Sequence, residues 1–224
     1  MSSNKKITSI LSDLSSVREN LLSLSDDIWL NIAHNNTEAM QQGVAFKTEY
    51  NKLFSTFETN AQSLATLIQQ FTGIEDVDAA QKVVSADSEE NRRIIAELNK
   101  ETLHLLEENF TYKRPFAFVL KGQAYKDTNT WKSVYMQVCA CLIALDSKKF
   151  SKTLSSPEFI SSRGNKRFSE NPKELRSPYL ITDTIYAEIN LSAQMIVESI
   201  ADLLDFYQIS RDEMSLYLRE DRNA

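Results

Sequence analysis

Helix breakers are almost absent from the first half of this chain. Its 224 residues include only four glycines and four prolines. All four prolines (Pro115, Pro157, Pro172 and Pro178) fall between residues 115 and 178, and the first 114 residues hold just two glycines, Gly43 and Gly73. Proline removes a backbone donor and glycine loosens a helix, so a stretch poor in both favours long helices punctuated near those two glycines. The apolar spacing agrees. Ile7, Ile10, Leu14, Val17, Leu21, Leu24 and Ile28 follow at intervals of 3, 4, 3, 4, 3 and 4, the alternation of heptad a and d positions. These seven residues are the candidate oligomerisation seam. An antiparallel bundle within one chain would use the same stripe, and we expect both: a helical hairpin or bundle that also dimerises.

The pattern pauses over Asn31, His34, Asn35, Asn36 and Thr37, which predict a turn with Thr37 as the next N-cap. A second helix is expected to run to about Phe71. Phe46, Tyr50, Leu53, Phe57, Leu64, Leu67 and Phe71 keep nearly the same repeat, Asn60 interrupts it, and Gly73 suits the stop. A third helix is expected over about 87–110, with Ser88-Glu89-Glu90-Asn91 at its start and Ile94, Ile95, Leu98, Leu105 and Leu106 as its stripe. Val77, Val83 and Val84 allow an earlier start.

From Tyr112 the texture changes. Pro115 leads into Phe116–Leu120, then Gly122 and Gln123-Ala124-Tyr125, which reads as a strand and hairpin. Thr130 caps a predicted helix carrying Trp131, Val134, Tyr135, Val138, Leu142 and Leu145, and a shorter helix follows over about 147–154. Residues 155–183 read mostly as loop, 184–189 as a strand, 192–207 as a helix capped by Ser192, and Met214–Leu218 as a last strand. The expected fold is therefore mainly α. A helical bundle or coiled-coil region spans 1–110, and a small α+β domain with a basic loop spans 111–224.

The stretch from Trp131 through KRFSENPKELRSPYLI to IYAEINLSAQMIVESIADLL resembles a small module at the C-terminal ends of uncharacterised bacterial or phage proteins. The resemblance covers about residues 113–220 and implies a bacterial or phage origin; it carries no activity and no site residue.

Charge supplies the functional clue. Residues 113–176 carry thirteen Lys+Arg against five Asp+Glu, while the whole chain has a net charge of −6. Lys148, Lys149, Lys152, Arg163, Lys166, Arg167 and Arg176 are the candidate partner-binding residues, with Phe168 and Tyr179 among them. Cations interspersed with aromatics suit a phosphate backbone or splayed bases, and a cationic loop also suits an acidic protein surface. The same cations on a plain solvated face, or docked on the acidic helices, would also explain the pattern, and that plainer reading carries somewhat more weight. The pI of about 5.1 argues against a dedicated nucleic-acid binder.

Catalytic and metal signatures are lacking. His34 and His104 stand seventy residues apart, Cys139-x-Cys141 has no second pair, and neither a nucleophile elbow nor a Gly-rich phosphate loop occurs. We expect no cofactor, no metal and no catalytic residue. The two cysteines face different sides of a helix, which suits a reducing, cytoplasmic location. No apolar run approaches the ~20 residues of a membrane span. The expected function is that of a non-enzymatic, homo-oligomeric interaction protein that engages an anionic partner through residues 148–176. A nucleic-acid-binding accessory factor in DNA metabolism or defence, and an enzyme whose site forms at an oligomer interface, are the alternatives.

Overall fold

Ser3–Leu30 (α1) and Thr37–Thr72 (α2) form two long helices. They belong to a computed structural model that describes residues 3–74, 88–161 and 163–219. Val77, Val83 and Val84 lie outside the described residues. The chain divides into two compact units, Met1–Val77 and Asp78–Ala224.

In the first unit, Asn36 caps α2 in place of Thr37. Its side-chain oxygen accepts from the backbone N–H groups of Glu38 and Ala39 at 3.0 and 3.1 Å, leaving Thr37 as the first helical residue. Gly73 ends α2 as expected, in the left-handed region at φ 66°, where a side chain would be strained. The two helices run antiparallel, and polar links cross between them. Arg18 pairs with Glu58 at 2.6 Å, the Tyr50 hydroxyl donates to the Leu21 carbonyl at 2.8 Å, and Lys47 Nζ reaches Ser25 Oγ at 2.7 Å. The turn itself packs so closely on α2 that a Cβ on Gly43 would lie 2.3 Å from Ile32 Cδ1.

The second unit is α+β. Glu89–Leu98 (α3) is followed by Leu103–His104 (β1), Pro115–Leu120 (β2), Gln123–Lys126 (β3), Trp131–Leu145 (α4) and Ser147–Ser151 (α5). Phe168–Ser169 (β4), Pro178–Leu180 (β5), Tyr186–Glu188 (β6), Ala193–Tyr207 (α6) and Met214–Leu218 (β7) complete it. β1, β7, β2 and β3 form one antiparallel sheet in that order, and β4, β6 and β5 form another. Lys121 and Gly122, both with positive φ, join β2 to β3 as the two-residue turn a tight hairpin favours. Thr130 and Ser192 cap α4 and α6 as expected.

The first sheet is covered on both faces. Phe118, Leu120, Met214 and Leu216 point into the main core with Trp131, Tyr135 and Val138 of α4 and Ile196, Ile200 and Leu203 of α6. Ala117, Ala124 and Tyr217 face the other way, onto Ile94, Ile95 and Leu98 of α3. A register shift between Pro115 and Ala117 puts Phe116 on that same side.

Three expectations are corrected. The third helix stops at Leu98 and does not reach 110, because Leu103 and His104 pair with Tyr217 and Leu216 from the far end of the chain. The division between units therefore falls near residue 77, not 110, since α3 packs on the sheet of the second unit. Residues 155–183 contain two short strands of the second sheet where a loop was expected.

Candidate functional site

The basic segment begins where α4 ends. Asp146 closes α4, its N–H donating to the Leu142 carbonyl at 3.0 Å, and starts α5, its carboxylate accepting from the Lys149 N–H at 2.9 Å. Phe150, Phe159 and Phe168, all fully buried, then gather with centroids 5.2 and 5.6 Å from the Phe168 ring. This aromatic anchor holds the segment to the core.

From this anchor the cations diverge in role. Lys149 lies over the Tyr207 ring at 5.3 Å and the Phe206 ring at 6.0 Å. Lys166 reaches Glu174 at 2.8 Å, and that carboxylate also accepts from Ser169 Oγ at 2.5 Å. The Lys166 hydrogen bond, with the serine's, holds the Glu174 carboxyl below the usual range. Arg167 turns elsewhere and donates to the Met195 carbonyl in the first turn of α6 at 3.2 Å. The adjacent pair Lys166-Arg167, read from sequence as two free contacts, is thus committed to two separate internal partners.

Lys148, Lys152, Arg163 and Arg176 are exposed, and none of their side chains forms an ion pair or hydrogen bond among the described residues. Arg163 sits on a turn whose Gly164 has φ 77° and whose Asn165 N–H is taken by Ser161 Oγ at 3.0 Å. Arg176 is presented by Glu188, a residue inside the segment 184–189 that reads from sequence only as a strand. Glu188 is buried, and its carboxylate accepts from the N–H groups of Arg176 at 2.5 Å, Ser177 at 3.1 Å and Asn190 at 2.7 Å. Three backbone donors satisfy the charge and stiffen the loop. A glutamate in an alternating strand carries no sequence signal for this role.

The expected aromatic platform is not present. Phe168 is 1% exposed, and Tyr179 already receives Lys132 over its ring at 4.7 Å.

The thiols sit apart from any charge cluster. Burial pushes both up, Cys139 most strongly, and the Cys141 thiol donates to the Tyr125 hydroxyl at 2.8 Å. They are free, with no disulfide between them. Among the described residues, no group of three or more His, Cys, Asp or Glu side chains converges as metal ligands would. No helix among them is long and apolar enough to cross a membrane.

The heptad residues divide along their length. Ile7, Leu14, Leu21 and Ile28 are half-buried, whereas Ile10, Val17 and Leu24 are exposed. At the open end of the hairpin, Ile7 and Ile10 of α1 and Leu67, Ile68, Phe71 and Thr72 of α2 line a groove of about 470 Å³. No protein-family model, curated protein or solved structure matches this chain.

Proposed function

We propose that this is a non-enzymatic, cytoplasmic interaction protein. Its helical hairpin is the assembly part, and its α+β unit engages an anionic partner through the basic segment. The observation that carries the reading is the contrast between the units: the α+β unit completes its own core, while the hairpin leaves a row of large apolar side chains in solvent. Soluble chains seldom leave such a face bare unless another surface meets it. The two free thiols suit a reducing compartment.

For the anionic partner, Lys148, Lys152, Arg163 and Arg176 are the contacts, because each is exposed and unpaired among the described residues. Lys149, Lys166 and Arg167 serve internal packing and contribute only field. The test is fluorescence anisotropy with a short single-stranded and a short duplex oligonucleotide over a salt series. Binding is expected to weaken steeply with salt, and replacing the four free cations by Glu is expected to abolish it; each lost phosphate contact flattens the log–log slope by roughly 0.7–0.9. Unchanged capture by the fourfold variant refutes this use of the basic segment. Absence of oligonucleotide binding at low salt assigns the segment to an acidic protein surface.

A further inference from the structure

Eight of the ten large apolar residues exposed on the described hairpin lie on one side, Leu30 and Val44 standing away from it. On α1 they are Ile10, Val17 and Leu24, one every seven residues. On α2 they are Phe46, Leu53 and Leu67, which share a second seven-residue row with Asn60, together with Leu64 and Phe71. Ile10, Leu67 and Phe71 line the same groove, so the α1 and α2 rows share a face at that end. A seven-residue interval drifts by only about 20° per heptad, so each row stays on that face over the two or three heptads it spans. No charged residue interrupts either row.

We propose that a second copy of this chain covers the face, so that two hairpins pack as a four-helix bundle with these rows as its shared core. The area supports this occupant. The eight side chains are between 37% exposed at Phe46 and 91% at Phe71. At about 150–200 Å² per large apolar side chain, they leave roughly 700 Å² bare, before the half-buried residues beside them are counted. The largest patch on a typical monomer is about 300–600 Å², and a stable interface takes roughly 800 Å² from each partner. The repeat supports it too. Each helix spends one edge of its stripe on its own partner and leaves the other edge at heptad spacing, the arrangement a helix needs to stay seated against another helix over many turns. A two-fold axis joins identical faces, so one apolar surface meets its match without a separate partner having to evolve. Asn60 would then be the lone polar residue inside the shared core, and a single buried Asn in a heptad row fixes register and copy number.

This inference rests on reading the hairpin as the assembly part; capture of an anionic partner is measured separately and stands if the dimer fails. The experiment is size-exclusion light scattering of the full chain, with far-UV circular dichroism. The wild type is expected at twice the 25.6 kDa chain mass. Leu53→Asp combined with Leu67→Asp is expected at one chain mass with its helices retained. Val44→Asp is the control: Val44 is also exposed but stands half a turn round α2 from Leu53, and this variant should stay dimeric. A monomeric wild type overturns the proposal and assigns the face to another protein or to the rest of this chain. A paired variant that keeps the double mass, or a control that loses it, overturns it as well. Unfolding of the paired variant alone supports it, since these positions are solvent-exposed in the single chain.

Discussion

Asn91 is the side chain whose loss should cost the α+β unit most for its size. It is 1% exposed, in the first turn of α3, and its amide bridges to the tip of the β2–β3 hairpin. Nδ2 donates to the Gly122 carbonyl at 2.9 Å, and Oδ1 accepts from the Ala124 N–H at 2.8 Å. β3 is the edge of its sheet, so the amide stands where the next strand's peptide would be. Asn91→Ala removes both bonds at about 1 kcal/mol each and leaves two backbone groups that water reaches only in part, for a loss of roughly 2–3 kcal/mol. With a urea slope of about 1–3 kcal/mol/M, the midpoint should fall by roughly 0.7–3 M. The assay is equilibrium urea unfolding followed by tryptophan fluorescence in a Trp29→Phe background, which leaves fully buried Trp131 as the sole indole. Exposed Glu90→Ala in the same turn should cost less than about 0.5 kcal/mol. A midpoint change under roughly 0.3 M for Asn91→Ala would mean the amide is not holding α3 to the hairpin.

Two further outcomes follow from burial. Desolvation raises the Asp202 carboxyl in the folded state, so the ionised side chain opposes folding at neutral pH and the penalty vanishes once both states are protonated. Asp202→Asn should therefore raise Tm at pH 7, with the gain shrinking as pH falls through the raised pKa and gone below about 3.9, the ordinary aspartate value; a gain independent of pH would contradict this. Cys139 and Cys141 should resist a thiol-specific disulfide reagent at pH 8 in the native protein and react together in denaturant, because burial keeps both protonated. Rapid native labelling of Cys139 would show that α4 is not packed as described.

Much of this fold was legible in local sequence, because local chemistry decides it. The glycine-poor stretch and heptad spacing marked α1 and α2, Gly73 marked a stop, and Thr130 and Ser192 marked helix starts. The failures came where distant residues decide. Glu101–Glu108 reads as helix, yet Leu103 and His104 are claimed by β7, more than a hundred positions away. Lys166 and Arg167 read as a free pair because nothing nearby shows that Glu174 and the Met195 carbonyl stand waiting. The heptad stripe was visible as a stripe, but which of its edges meets α2 depends on polar links such as Lys47–Ser25 that periodicity does not encode.

Asp146 joins three helices at one residue. Its N–H closes α4, its carboxylate opens α5, and its carbonyl accepts the Tyr207 hydroxyl from the end of α6 at 2.7 Å. None of these can open without disturbing the other two. In native-state hydrogen exchange, the last turn of α4, all of α5 and the last turn of α6 should therefore gain and lose protection as one cooperative unit, although some sixty positions of chain separate their ends. The start of the cationic segment would then be as slow to exchange as the core behind it, so whatever it meets would find its shape already set.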